Sequence, residues 1–145
     1  MYHILQLRSE VFVVEQTCVY QDLDGKDTHP HVKHVFVKDD ASAQNPMVAY
    51  ARLLPQGVSY ADVSMGRIVL APEFRGEGLG RQFIAHCIKH TLQCWTSHAI
   101  TIGAQSHLSD LYQEFGFVEV SEHYLEDGIL HVDMQAVSPT YKEYL

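Results

Sequence analysis

The stretch Ile68-Val69-Leu70-Ala71-Pro72-Glu73-Phe74-Arg75-Gly76-Glu77-Gly78-Leu79-Gly80 constrains the fold more than any other part of the chain. An apolar strand runs through a glycine-rich turn directly into an amphipathic helix. Gly76, Gly78 and Gly80 carry no Cβ, so the backbone can take unusual φ/ψ values and come close to a ligand. The N–H groups at the helix start have no intrahelical partner, and with the positive end of the helix dipole they suit a phosphate. Two phosphate loops are excluded by the residues that follow. A P-loop ends in Gly-Lys-Ser/Thr, whereas Gly80 precedes Arg81 and Gln82, and a Rossmann fingerprint needs a glycine at position 81.

The rest of the chain supplies a sheet and helices around this turn. Ile4, Leu5, Leu7, Arg8, Val11, Phe12 and Val14 have helical spacing to about residue 12, and the turn-rich stretch Gln21 to Pro30 follows. His34 to Lys38 and Met47 to Leu54 read as strands, separated by a polar segment, Asp39 to Pro46, with the composition of a hairpin turn. Val63 to Leu70 is a third strand. From Leu79 to Trp95, Leu79, Phe83, Ile84, Cys87, Ile88, Leu92 and Trp95 form one face of a helix, with Cys87 and Cys94 as small core residues on or near it. Ala99 to Ala104 reads as a buried strand and Ser106 to Phe115 as a short helix. Phe117 to Tyr124 and Leu130 to Gln135 read as a closing hairpin around Glu126-Asp127-Gly128. This order predicts an α/β fold with a mixed, mostly antiparallel sheet flanked by helices, within a single domain over residues 1–145.

A chain of 145 residues buries roughly 68 to 70% of its unfolded surface, enough for a core without disulfide staples. The three cysteines, Cys18, Cys87 and Cys94, show no CxxC or zinc spacing. The start Met1-Tyr2-His3-Ile4 lacks the basic region and long apolar run of a signal peptide, and every apolar run is broken well short of the ~18 residues of a membrane span. A cytoplasmic protein with no membrane partner is therefore expected. Ten Lys plus Arg against eighteen Asp plus Glu, a net charge of −8, argue against nucleic acid, which is bound through clustered basic residues. The same acidity fits a cationic small acceptor or an ordinary solvated surface. His29, His31 and His34 mimic a metal cluster without the context of one, and no metal site is expected.

What remains of the turn is Arg-x-x-Gly-x-Gly, carried by Arg75, Gly78 and Gly80, and with it the chain resembles the GNAT family of N-acetyltransferases. A second segment at the expected distance, Leu108-Ser109-Asp110-Leu111-Tyr112-Gln113-Glu114-Phe115-Gly116-Phe117, resembles the family helix that ends in Leu-Tyr-x-x-x-Gly-Phe. Further stretches are similar to the ElaA-type branch: residues 7–16, Asp22-Leu23-Asp24-Gly25-Lys26-Asp27, residues 48–55, residues 103–108 and Tyr124-Leu125-Glu126-Asp127-Gly128-Ile129. The resemblance covers nearly the whole chain. It implies the acyl-CoA N-acyltransferase fold and an enzyme that moves an acetyl group from acetyl-CoA, the co-substrate, to an amine of a small molecule or an exposed protein. The first family strand has no counterpart, because the chain opens almost directly in the first helix. A sheet edge left uncovered in this way is one that a second copy can cover, so a homodimer is among the expectations.

The resemblance also distributes the work. Residues Arg75, Gly76, Glu77, Gly78, Leu79 and Gly80 would hold the pyrophosphate through backbone N–H groups, with Arg75 acting by charge or by shaping the loop. Ile68, Val69 and Leu70 would lie on a strand that splays from its neighbour and pairs with pantetheine amides, the Leu70 amide doubling as oxyanion donor. Tyr112 would sit at the thioester sulfur. A phenol near pKa 10 is a weaker acid than a thiol near 8.5, so full proton donation is uphill by roughly 2 kcal/mol and a hydrogen bond to the developing thiolate is the better reading. Gln105 stands where the family usually has Asn. A protonated alkylamine must give up about 4 to 5 kcal/mol of protonation preference at pH 7, so a base or water chain is wanted. Glu126 is the first candidate, with Asp127, His131 and Glu15 beside it, although Glu-Asp-Gly is equally a good hairpin turn. The alternative is a non-catalytic acyl-CoA-binding or protein-interaction module that kept the loop and lost turnover.

Overall fold

The computed structural model describes residues 1–41 and 45–145. Helix α1, Tyr2–Arg8, passes without a break into a π-helical stretch, Ser9–Glu15. The helical segment therefore outruns the expected end near residue 12. Bonds of the i→i+5 type, such as Gln16 N–H to Val11 O at 3.1 Å, change the winding there and dissolve the 3.6-residue period. Ile4, Leu7, Val11 and Phe12 stay on the inner side against Tyr50 and Val69.

Three antiparallel strands follow: β1 (Lys33–Lys38), β2 (Met47–Leu54) and β3 (Ser64–Leu70), in the order β1-β2-β3. β2 is buried along its whole length because α1 packs on one face of this sheet and α2, Leu79–Cys94, on the other. The centre of the β1–β2 turn expected at 39–46 lies at residues 42–44, outside the described residues; its flanks are joined by Asp39 N–H to Pro46 O at 2.8 Å. Among the described residues β1 forms the outer edge of the sheet, and α1 is the first element.

On α2 the inward seam runs through Ile84, Ile88 and Thr91 to the partly buried Trp95, with Phe83 and Cys87 alongside. Thr91 occupies a buried position because its hydroxyl is satisfied by the Cys87 carbonyl at 2.8 Å. Cys94 falls off this seam and is exposed, and Leu92 is partly exposed, which corrects their expected place in the core.

The second sheet comprises β4 (Ile100–Gln105), β5 (Val118–Glu119), β6 (Tyr124–Glu126) and β7 (Ile129–Ala136), with order β4-β7-β5 and β6 also paired to β7. The expected strand Phe117–Tyr124 is interrupted, since the Ser121 hydroxyl replaces a ladder acceptor by taking the Asp133 N–H at 2.9 Å. The expected helix 106–115 is a 3-10 turn, Ser106–Leu108, then α3, Ser109–Gln113; it closes through Gly116 at φ +86°. Asp127 and Gly128, at φ +50° and +78°, form a two-residue loop between the paired Glu126 and Ile129, the positive-φ pair that a tight hairpin demands. The fold is thus α/β, with antiparallel sheets flanked by helices. No helix among the described residues is long and apolar enough to cross a membrane.

Candidate active site

The two sheets meet at one parallel bridge, Val63–Ile100, reinforced by Thr101 N–H to Val63 O at 3.0 Å. Beyond it β3 and β4 run in the same direction and share no further ladder pair among the described residues, so they part into a V. A cleft of about 550 Å³ lies along the split, walled by Met65 to Ile68 on one side and Ile102 to Gln105 on the other, with Leu108, Tyr112 and His131 facing it. A second depression, lined by Leu5, Ser9, Val13 and residues 19–23, shares Tyr20 and Gln21 with the cleft.

The glycine turn stands at the start of α2. Gly76 and Gly78 take φ +88° and +78°, which explains those two glycines by backbone conformation. Gly78 is the N-cap, with no side-chain cap bond and no acidic residue in the first turn. The first helical bond is Gln82 N–H to Gly78 O at 3.4 Å, leaving the N–H groups of Leu79, Gly80 and Arg81 without backbone partners among the described residues. Gly80 has neither a positive φ nor a neighbour within 4 Å of an added Cβ. Among the described residues nothing requires a glycine there, and the uncapped helix end leaves room for a diphosphate, so these residues fit a CoA pyrophosphate. Glu77 is exposed on this turn and Leu79 half-buried.

Arg75 is folded back along its own chain. Its Nε and Nη2 lie 3.3 and 3.2 Å from the Leu70 carbonyl, and Nη1 and Nη2 fork onto Glu15 at 2.5 and 3.1 Å. That pairing holds the Glu15 carboxyl below its usual range and raises the guanidinium above its own. Between the two sequence alternatives, the geometry is that of a residue shaping the loop. Ala71 N–H donates to Val48 O at 2.8 Å, making Val48–Ala71 a hydrogen-bonded pair. By the alternation of antiparallel ladders, Leu70 then stands in a non-bonded pair with Ala49, its N–H and C=O turned off β2. Ile68 lines the cleft, while the Val69 side chain is core against α1.

Tyr112 is buried, its ring edge-on to Phe117 at 5.9 Å, and its hydroxyl has no hydrogen-bond partner among the described residues although the residue lines the cleft. Burial pushes its pKa well above 10, which makes it a poorer acid still, suited to donating a hydrogen bond rather than giving up its proton. Gln105 also lines the cleft and donates to the Gln16 side chain at 3.2 Å.

The candidates for a base separate. Glu15 is held by Arg75. Asp127 serves the turn by its backbone, and its carbonyl accepts Cys18 Sγ at 2.9 Å. The Glu126 side chain is 60% exposed, 3.8 Å from His131 Nε2. His131 Nδ1 faces the Ile129 carbonyl at 2.8 Å; a carbonyl only accepts, so Nδ1 carries a proton, and in the neutral ring the lone pair is on Nε2. Of the four, His131 has a partly buried ring in the cleft wall, 13% exposed, with Nε2 on the side of Glu126. His34 is occupied otherwise, with Nδ1 at 2.6 Å from the Tyr50 hydroxyl and Nε2 at 3.0 Å from the Asp27 carbonyl.

Sequence reasoning missed a charge lattice beneath the cleft. Arg8 is fully buried and binds Asp22 and Asp27; Arg52, 2% exposed, binds Asp24 and Asp27; Arg67 binds Asp22 and Asp24. Burial alone would raise the Asp24 and Asp27 carboxyls, but the Arg52 and Arg8 guanidinium groups hold both below the ordinary carboxylate range. Arg67 stands at φ +52°, a conformation that costs a non-glycine residue about 1 to 2 kcal/mol. The signal was there to read: Arg52 interrupts a fully apolar strand, and three aspartates cluster in the 22–27 stretch. The cleft lining carries Lys26, Arg52 and Arg67 against Asp24, Glu126 and Asp127, so the net charge of −8 is not gathered there.

Comparison with known proteins agrees with this geometry. Residues 17–138 match the family model described as Acetyltransferase (GNAT) domain. Protein ElaA of Escherichia coli strain K12 is 40% identical over 134 residues, 92% of this chain and 85% of that protein. The crystal structure of Escherichia coli ElaA superposes with a TM-score of 0.84 at 38% identity, covering 93% of this chain and 88% of that one. An acyl-CoA N-acyltransferase from Pseudomonas aeruginosa gives the same TM-score, identity and coverage. A strand split, an uncapped helix start and these relatives converge: the chain belongs to the GNAT family, in its ElaA-type branch, and is an acyltransferase that uses a CoA-derived co-substrate.

Proposed function

We propose that the chain acts as one domain that transfers an acetyl group from acetyl-CoA to a primary amine by direct attack on the thioester. The observation that carries this reading is the split between β3 and β4, whose cleft is lined by Ile68 on β3 and by Tyr112 and His131 opposite, with the outward-turned Leu70 amide and the uncapped start of α2 following Ile68 in the chain. In this scheme the α2 start and residues Gly76 to Gly80 bind pyrophosphate, and Arg75 braces the turn. Main-chain groups of Ile68 to Leu70 bind pantetheine. The amine nitrogen attacks the carbonyl carbon, and the Leu70 N–H stabilises the oxygen as it gains charge. His131 Nε2 takes the proton the amine loses, directly or through one water. The C–S bond then breaks, the Tyr112 hydroxyl gives a hydrogen bond to the departing thiolate, and the proton taken up by His131 returns through solvent to the sulfur, leaving CoA thiol and an N-acetyl amide.

His131 replaces Glu126 as base in this scheme because its ring lines the cleft with Nδ1 held by a carbonyl, which leaves Nε2 as the proton acceptor of the neutral form, whereas the Glu126 side chain is mostly in solvent. The test is coupled thiol release across an amine panel. With the best acceptor, His131→Gln should lower kcat by about 100-fold, whereas Glu126→Gln should change it by less than about threefold. The reverse order would restore Glu126. Absence of turnover with every amine, alongside tight CoA binding, would favour the binding-module alternative.

A further inference from the structure

Arg67 is a cleft residue to which acyl transfer, as described, gives no task. It sits in a β-bulge. Tyr50 faces Val69 and Arg52 faces Gly66, so Arg67 and Ile68 together oppose Ala51 alone. Glycine takes a positive φ there without strain and is the usual occupant of such a position. An arginine in its place needs a compensating contact, and its side chain makes several. Nε donates to Asp22 Oδ1 at 2.8 Å, and Nη2 lies 3.2 Å from the Asp22 carbonyl and 3.4 Å from Asp24 Oδ2. The guanidinium carbon stands 5.7 Å from the centroid of the Tyr20 ring. The anchor is itself fixed, since Arg8 Nε holds Asp22 Oδ2 at 2.8 Å and the Tyr20 hydroxyl donates to Oδ1 at 3.0 Å.

We infer that Arg67 is a positioning residue: anchored on Asp22, its side chain holds the β3 bulge that aims the Ile68 to Leu70 main chain into the split. The bulge matters because register sets which edge of a strand each N–H faces. Removing the extra residue would slip the β2 pairing by one and turn the Leu70 N–H toward β2, away from any acyl oxygen. Arginine suits the task because its planar fork reaches three acceptors on two residues, whereas a lysine ammonium replaces one or two of them. The function of the clamp rests on the acyl-transfer reading above; its existence does not.

The experiment uses the full chain with Arg67→Gly, which the positive φ favours, and Arg67→Lys. CoA affinity is measured by calorimetry, kcat and both KM values by thiol release, and amide exchange over residues 64–71 by mass spectrometry. Arg67→Gly should bind CoA within about twofold of wild type while kcat falls at least about tenfold, the signature of an interaction made in the transition state. Exchange over 64–71 should accelerate, and Arg67→Lys should recover part of kcat. A kcat within about twofold of wild type in Arg67→Gly would overturn the inference. So would a rise in acceptor KM alone, which would make Arg67 an acceptor contact, or a parallel loss of CoA affinity and kcat, which would make it a fold residue. Should the wild type acetylate no amine, the acyl-transfer reading falls by itself. Exchange then decides the clamp, and an unchanged pattern in Arg67→Gly overturns it.

Discussion

Arg75 lays its guanidinium across the main-chain carbonyl of Leu70, with two nitrogens at 3.2 to 3.3 Å, while its far end is forked onto Glu15. One side chain thereby ties the end of β3 to the start of the glycine turn and to the π-helical segment. Arg75→Ala should release the turn and weaken CoA binding by about tenfold, or 1.4 kcal/mol. Glu15→Gln should weaken it by less than about threefold, since an exposed ion pair contributes little. Calorimetric titration with CoA checks both. A larger loss in Glu15→Gln than in Arg75→Ala would mean the brace works through the carboxylate.

The glycines of the turn should behave differently from one another. Gly80→Ala meets no neighbour and no strained φ, so thermal stability should hold or rise by up to about 1 kcal/mol from helix propensity, while the methyl group at the ligand face lowers CoA affinity. Gly78→Val, at φ +78°, should lose about 1 to 2 kcal/mol of stability from backbone strain and show no thermal shift with acetyl-CoA. A normal ligand-induced shift in Gly78→Val would remove the turn from the binding site.

Tyr112→Phe removes a hydroxyl that has no partner within the described chain, so stability should stay within about 0.5 kcal/mol of wild type. Steady-state kinetics should show kcat lowered by about tenfold at a nearly unchanged KM for acetyl-CoA. Equal loss of cofactor affinity would make the ring, by its packing on Phe117, the whole contribution.

Stability should fall on acidification through the charge lattice. Asp24 and Asp27 have depressed pKa values in the folded chain, so the unfolded chain binds more protons as pH drops through its own range near 4. Their contribution is complete above that range and is lost as pH descends towards the folded values. Denaturant melts from pH 7 to 3 should show a flat upper limb and a decline beginning near pH 4; Asp24→Asn should start less stable and decline with a shallower slope. An unaltered slope would show that Asp24 is not a linked group.

The features legible in the sequence are those that depend on neighbours in the chain. The strand–turn–helix at Ile68 to Gly80 announces itself because glycine spacing and apolar period are local, and Asp127-Gly128 because a two-residue hairpin loop needs those residue types. Tyr112 was placed through its segment's resemblance to the family. The Arg8–Asp22–Arg67 lattice was not read because its partners lie 14 and 45 residues apart and only the folded sheet brings them together. The choice of His131 over Glu126 depended on a main-chain carbonyl, that of Ile129, fixing the ring tautomer, and a residue pattern does not reveal this. The π-helical winding after Arg8 misled the periodicity itself.

The Val63–Ile100 bridge makes the molecule a book with a narrow spine. Among the described residues its two sheets are joined edge to edge at one end, so in the free protein the far edges of β3 and β4 should breathe most, with the amplitude growing from Thr101 towards Gln105. A pantetheine arm laid between them would act as a surrogate strand and finish the sheet that the chain leaves open. Loading the co-substrate would then be the last step of folding, and the amides best placed to do chemistry would be the ones that stay restless until it arrives.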